Sequence, residues 1–280
     1  MIEIKVTCFN LQETLDCGQC FRWYKNEDSS FTGVIKDRVV NLKQEKDIIY
    51  IDSNKEENLE ETIKEYLDLN VEYIDIEKEI YNIDTNIQKA LQNTSGMRIL
   101  NQDKFETVIS YIISANNNIP RIKKSVDEIS KKYGEKQIYK GKEYYTFPSV
   151  ASLSKASKED LRALGVGFRD KYIVSTVDKI KSKENFLEDL DKLSTDDLKK
   201  ELITFSGVGS KVADCVILFA YNRKEAFPVD TWVKKVMQKL YYSCNEIDNK
   251  IILEDSKKRF GKYAGIIQQH LFQNIRKELI

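Results

Sequence analysis

The sequence predicts an α+β protein in which a small antiparallel sheet at the N-terminus is followed by a mainly helical region. Three observations carry this. The first 50 residues hold closely spaced short runs rich in β-branched and aromatic residues, apolar residues after Ser53 recur at helical spacing, and no convincing strand run follows. At 280 residues, 41% hydrophobic and 32% charged, the chain can bury one large core or two of ordinary size. We expect a sheet domain with linking helices over 1–105 and a helical domain over 106–280.

In order, Ile2–Val6, Phe21–Tyr24, Phe31–Ile35, Val39–Leu42 and Ile48–Ile51 read as strands, separated by Asn, Asp, Ser and Gly; the close spacing implies antiparallel hairpins. Leu59, Ile63, Tyr66 and Leu67 mark one face of a helix. Phe105, Val108, Ile109, Ile112 and Ile113 mark a strongly buried one. It runs into Asn116-Asn117-Asn118, a triplet that helices do not readily continue. Further helices are expected over Arg121–Tyr133, Lys158–Leu164, Asp170–Ile180, Thr195–Phe205, Ser210–Tyr221, Thr231–Tyr241 and Lys257–Leu279. Gly-Val-Gly occurs twice, at 165–167 and 207–209, each time between helices.

The 45 basic and 45 acidic residues sum to zero, but residues 1–105 hold 13 Lys+Arg against 21 Asp+Glu, leaving 32 against 24 to the other 175 residues. The zero is a cancellation of −8 and +8. A basic half facing nucleic acid or membrane and two solvated charged surfaces both fit these counts. No apolar run approaches the roughly 18 residues of a membrane span. The start, Met1-Ile-Glu-Ile-Lys-Val, alternates charge with apolar residues, unlike a secretory signal. The expectation is an intracellular chain without a targeting segment, which in a bacterium means the cytoplasm or nucleoid. Five cysteines, at 8, 17, 20, 215 and 244, are then reduced by default. A single histidine, His270, leaves lysine, carboxylates or thiols to carry chemistry.

The sharpest segment is Ser206-Gly207-Val208-Gly209-Ser210-Lys211. Ser194 and Asp197 can cap the helix before it, and two glycines one residue apart permit a tight hairpin. The backbone N–H groups of such a hairpin, with the positive end of the following helix, form a seat for phosphate. By itself a Gly-x-Gly turn is most often a plain connection. Lys211 in the first turn of a helix is misplaced against the dipole, which points to another use for it. Cys215, four residues on, shares its edge. Nineteen residues after Lys211 stands Asp230, in Phe227-Pro228-Val229-Asp230-Thr231-Trp232, placed to cap the next helix.

Hairpin, lysine and Pro-Val-Asp together resemble the helix-hairpin-helix DNA glycosylases with a Gly/Pro-rich loop and catalytic Asp, and within them the 8-oxoguanine DNA glycosylase/lyase family. The likeness continues through Gly-Gln-Cys-Phe-Arg-Trp at 18–23, Ser-Ala-Asn-Asn-Asn-Ile-Pro-Arg at 114–121, Leu-Gly-Val-Gly-Phe-Arg at 164–169 and Tyr-Ala-Gly-Ile-Ile-Gln at 263–268, covering nearly the whole chain.

The resemblance implies that Lys211 is the nucleophile and Asp230 its carboxylate partner. Breaking an N-glycosidic bond builds positive charge on the sugar, which a carboxylate stabilises, while a neutral amine attacks C1′ to leave a Schiff base. β-Elimination can follow. The base must first leave the stack. The resemblance gives the Gly18 carbonyl the task of accepting from N7–H, a hydrogen that guanine lacks. It places Cys215 and Phe272 on either side of the base and Gln268 on its Watson–Crick edge. Asn116 fills the vacated space, Phe168 is a wedge, and Arg121 and Arg169 bond the orphaned cytosine, giving a preference for that opposite base. Gly207, Gly209 and Lys211 meet phosphate.

Three positions depart from the family pattern: Ser206 stands where proline is common, Phe168 where tyrosine is, and Trp232 where a histidine near the lesion's 5′ phosphate is usual. No cofactor is expected. Cys17-Gly-Gln-Cys20 has metal-ligand spacing, but Cys8, Cys215, Cys244 and His270 are scattered singly, so zinc is rejected. Only Cys244 follows Asp230, which rejects an iron–sulfur cluster. Family analogy admits a structural monovalent or calcium ion on carbonyls near Ile203, Phe205 and Val208. The expected partner is duplex DNA containing 8-oxoguanine, met by a monomer and without a membrane. Two alternatives keep the fold: a monofunctional alkylated-base glycosylase, which would lack Lys211, and a non-enzymatic DNA-binding module, which would have no joint use for Asp230, Gly18 and Gln268.

Overall fold

The computed structural model describes residues 1–278. Five strands form one antiparallel sheet in the order β1-β5-β4-β3-β2, with β1 at Ile2–Lys5, β2 at Trp23–Lys25, β3 at Phe31–Ile35, β4 at Arg38–Glu45 and β5 at Ile48–Ser53. Leu42 on the central strand pairs with Phe31 on one side and Ile51 on the other, and Ile4 stands opposite Ile49. Strand alternation puts these side chains on one face. Helices α1 (Leu11–Leu15) and α2 (Leu59–Tyr66) cover that face with Leu11, Leu15, Leu59 and Ile63. Trp23 is buried there, its indole N–H donating to the Tyr66 hydroxyl at 2.9 Å.

The remaining helices are α3 (Tyr73–Tyr81), α4 (Thr85–Thr94), α5 (Lys104–Ser114), α6 (Ile119–Tyr133), α7 (Val150–Leu153), α8 (Lys158–Leu161), α9 (Asp170–Lys181), α10 (Phe186–Asp189), α11 (Thr195–Ile203), α12 (Ser210–Ala220), α13 (Thr231–Tyr241), α14 (Asn249–Phe260) and α15 (Ala264–Glu278). Their apolar faces merge into one core, which includes Tyr73, Ile80 and Ile87. Within it α5 packs against α12, and α15 returns to lie on α4 and α13. Lys277 reaches Glu13 at 2.6 Å and Lys224 reaches Asp68 at 2.6 Å, tying the late helices to the sheet-bearing half.

The structure corrects several expectations. Two strands do follow the first sheet: β6 (Lys136–Tyr139) and β7 (Lys142–Tyr145) form a separate hairpin, turned at Lys140-Gly141 where both residues have positive φ. The stretch expected as one helix over Lys257–Leu279 holds only the last turn of α14, which already begins at Asn249, then a short turn at Gly261–Tyr263 and α15; φ of +57° at Gly261 ends α14, and Leu279 lies outside the described residues. The helix expected to Leu164 stops regular winding at Leu161, and the chain takes irregular turns through Gly165 (φ +86°) before α9. β2 begins at Trp23 because Phe21 turns into the helical core instead, edge-on to Tyr111. Helices α1, α3, α4, α7 and α10 lie outside the ranges the sequence predicts as helical.

Candidate active site

The hairpin between α11 and α12 is built locally. Ser194 caps α11 through the Asp197 N–H, and Val208 N–H donates to the Phe205 carbonyl at 3.0 Å. The two glycines differ. Gly207 has φ +80°, and a Cβ there would lie 2.7 Å from the Tyr172 ring. Gly209 is extended and caps α12 without a side chain, and a Cβ there would meet nothing within 4 Å. The hairpin is therefore closed on the α9 side and open at Gly209, where first-turn N–H groups of α12 lack a side-chain cap. Ser206 reaches Ser175 of α9, hydroxyl to hydroxyl, at 2.9 Å. Lys199 of α11 pairs with Asp214 of α12 at 2.7 Å; burial pushes that carboxyl up to about 6 against the opposing pull of the lysine.

Lys211 projects from the first turn of α12. Its Nζ lies 5.2 Å from the centre of the Tyr111 ring and 3.5 Å from Ser114 Oγ, both on α5, and it is in hydrogen-bond contact with Cys215. Burial pushes the Cys215 thiol up to about 12, so it is protonated at neutral pH. Asp230 does cap α13: Oδ1 accepts from Val233 N–H at 2.7 Å. Its other oxygen accepts no hydrogen bond among the described residues, and its charge is felt at Cys215 and at Tyr111. Among the described residues neither Lys211 nor Asp230 is spent in an ion pair. An amine outside any ion pair and a carboxylate with a free oxygen thus both act on Cys215.

The loop after α1 approaches α15. Gly18 has φ +85°, and a Cβ there would stand 3.3 Å from Ile119 and 3.9 Å from the Phe272 ring. Gln19, fully buried, fixes the loop: its amide donates to the carbonyls of Thr14 and Arg98 and accepts from Leu100 N–H. Its own carbonyl accepts from Gln102 Nε2 at 2.8 Å and the Tyr111 hydroxyl at 3.2 Å. Gln268 is buried with an Oε1 that has no protein partner, an acceptor suited to the N–H donors of a guanine-type edge. Cys17 and Cys20 are buried thiols donating to the carbonyls of Thr14 and Leu15. No group of three or more His, Cys, Asp or Glu able to hold a metal occurs among the described residues.

Asn116 is exposed in a left-handed turn (φ +50°) between α5 and α6. Arg169 is buried against it: Nε and Nη2 bond the Ala115 carbonyl, Nη2 also the Asn116 carbonyl at 3.0 Å, and Nη1 the Val166 carbonyl at 3.0 Å. Its guanidinium lies 4.4 Å from the centre of the Phe168 ring, which is 53% exposed. Arg121 is exposed and its side chain has no partner among the described residues. Trp232 is 52% exposed at the start of α13 with Lys235 over its ring. Of the carbonyls named for an ion, that of Phe205 already accepts one bond, from Val208. A cleft of about 480 Å³ at the far end of α12, lined by Arg22, Glu106 and Tyr221 among others, contains none of the site residues expected from the sequence, although Cys20 and Gln102 border it. Gln19, Tyr111 and Ser114 were not singled out from the sequence; a tyrosine within an aliphatic helix was the available signal, because its hydroxyl requires a partner.

The comparisons with known proteins follow the same lines. Residues 1–108 match the family model described as "8-oxoguanine DNA glycosylase, N-terminal domain", and residues 109–262 the "HhH-GPD superfamily base excision DNA repair protein" model. A probable N-glycosylase/DNA lyase of Methanothermobacter thermautotrophicus is 33% identical over 69% of this chain and 68% of its own. An N-glycosylase/DNA lyase of Saccharomyces cerevisiae is 30% identical over 94% and 82%. The crystal structure of the Clostridium acetobutylicum 8-oxoguanine glycosylase/lyase, in complex with double-stranded DNA containing cytosine opposite 8-oxoG, superposes with a TM-score of 0.94 at 39% identity, covering 100% of this chain and 99% of that one.

Proposed function

The chain belongs to the HhH-GPD superfamily of base excision DNA repair proteins and carries the N-terminal domain of the 8-oxoguanine DNA glycosylases, and from that membership we propose that it excises 8-oxoguanine from duplex DNA and cleaves the strand at the resulting site. The observation that carries the chemistry is Lys211, in hydrogen-bond contact with Cys215 yet in no ion pair among the described residues, with the charge of Asp230 also felt at that same Cys215. As the N-glycosidic bond breaks, its electron pair leaves with the base and positive charge grows on the sugar, where the free oxygen of Asp230 stabilises it. Nζ of Lys211 bonds C1′, and ring opening gives the imine. Loss of a C2′ proton then expels the 3′ phosphate, and water releases the lysine. The protonated Cys215 leaves the amine without a competing thiolate beside it.

Lesion reading falls to Gly18, Phe272, Cys215 and Gln268. Support comes from the approach of the Gly18 loop to Phe272 and from the unpartnered Oε1 of buried Gln268. Asn116 and Phe168, exposed on adjoining loops, would fill and wedge the duplex. Arg121, with all its donors free, is the principal reader of an opposite cytosine; four of the five N–H donors of Arg169 are already given to carbonyls. The hairpin N–H groups about Gly207, Gly209 and Lys211 receive phosphate. One chain supplies every element named, which supports action as a monomer. The test is a duplex carrying one 8-oxoguanine opposite each base in turn, with and without borohydride. Wild type should release the base and form a trapped adduct, and Lys211→Gln should do neither; full excision by Lys211→Gln would remove the lysine from the chemistry.

A further inference from the structure

We propose that Tyr111 is a positioning residue that couples the loop reading the lesion to the nucleophile; the inference rests on the excision reading above. Tyr111 is 4% exposed and its ring is held on two sides, stacked on Phe219 of α12 at 5.6 Å and edge-on to Phe21 of the reading loop at 5.5 Å. Those two contacts join the element that carries Lys211 to the one that carries Gly18. The side chain then touches a functional group at each end. Its ring face lies under Lys211 Nζ at 5.2 Å, and its hydroxyl donates to the Gln19 carbonyl, one peptide beyond the Gly18 carbonyl, at 3.2 Å. Burial holds the phenol well above its ordinary range, so it stays a donor at neutral pH.

Packing alone would be served by phenylalanine. The hydroxyl acts on a peptide that is otherwise fixed from the Gln19 side chain and by Gln102 Nε2, which donates to the same carbonyl. With Gly18 at φ +85°, rotation about its backbone is the freedom left to the loop, and the two bonds to the Gln19 carbonyl remove it. The distance from lesion-reading carbonyl to attacking amine is therefore set through one rigid ring.

The two halves of the reaction separate the roles. Cleavage of a preformed abasic site needs Lys211 but no base to read. Tyr111→Phe should lower single-turnover excision of 8-oxoguanine by about 2- to 10-fold, the worth of one neutral hydrogen bond, while abasic-site cleavage and borohydride trapping on abasic DNA stay at the wild-type level. Gln102→Ala should show the same split, and Tyr111→Leu should lower both steps because the ring under Lys211 is gone. Melting temperatures of all three full-length variants are measured alongside. If Tyr111→Phe and Gln102→Ala match wild type in an enzyme that excises 8-oxoguanine, or if both steps fall together in step with the melting temperature, the coupling is overturned. A wild type that cleaves abasic DNA yet releases no 8-oxoguanine overturns the excision reading itself.

Discussion

Replacing Gly207 by alanine and Gly209 by serine should separate folding from DNA binding within one hairpin. At Gly207 the φ of +80° puts an alanine in the left-handed region, at about 1–2 kcal/mol. Its Cβ would also lie 2.7 to 2.9 Å from three Tyr172 atoms, so the ring must shift, adding roughly 1–3 kcal/mol. Together these lower the melting temperature by roughly 5–15 °C in a chain of this size. At Gly209 the φ is −92° and nothing lies within 4 Å of a new Cβ. Serine is a favoured helix cap, so stability should stay within about 0.5 kcal/mol. That serine hydroxyl would, however, accept from the first-turn N–H groups of α12 that phosphate is proposed to use. The expected result is weaker duplex binding and a plot of log affinity against log salt shallower by about 0.9, one phosphate contact. Melting by circular dichroism and binding across a salt series measure both. Undiminished binding with an unchanged slope in Gly209→Ser would refute the phosphate seat, and a wild-type melt in Gly207→Ala would refute the backbone argument.

Asp230→Asn keeps a good helix cap, so it should melt within about 0.5 kcal/mol of wild type while excision drops roughly 100- to 1,000-fold; an active variant would leave Asp230 as a cap alone. His270, fully buried beside Thr94, is pushed down to about 4 by desolvation. Its folded value lies below the unfolded 6.5, so its contribution is complete above that pH and is lost as pH falls towards 4, on the order of 3 kcal/mol. Asp214, raised to about 6, acts with the opposite sign in the same window, so the quantity to measure is the difference between wild-type and His270→Gln stability curves, which should change between pH 6.5 and 4. Arg121→Gln should erase any preference for cytosine, and Arg169→Ala should slow excision about equally opposite all four bases; the reverse pattern in single-turnover rates would exchange their roles.

The legible parts of the fold were those where one period dominates. Ile48–Ile51 and the aliphatic stripe of α5 announce themselves, and so does the hairpin, because Gly207, Lys211 and Asp230 are chemically distinctive at fixed spacing. The second hairpin is hard to read because Lys136–Tyr139 and Lys142–Tyr145 mix charged with aromatic residues, and of its eight strand residues only Gln137 and Tyr139 are buried; Gly141 is its one overt mark. The break at Gly261 was visible as a glycine but overridden by apolar residues on either side. What no sequence pattern discloses is partner choice. Arg169 reads like a surface arginine and is instead buried on the carbonyls of the Asn116 turn, and Tyr111 reads like core although its hydroxyl spans two elements. Both depend on long-range contacts, between partners 53 and 92 positions apart in the sequence.

The two tryptophans have opposite surroundings. Trp23 is sealed under the sheet with its N–H bonded to Tyr66, whereas Trp232 stands half in solvent two residues from Asp230. Their emissions therefore differ in colour and in access to quenchers such as iodide. The blue-shifted component tracks the integrity of the sheet, and the red-shifted, quenchable component tracks whatever approaches the mouth of the candidate site. Unlabelled protein can thus be titrated with duplex while folding and occupancy are followed in a single spectrum, and Trp232→Phe supplies the matching blank.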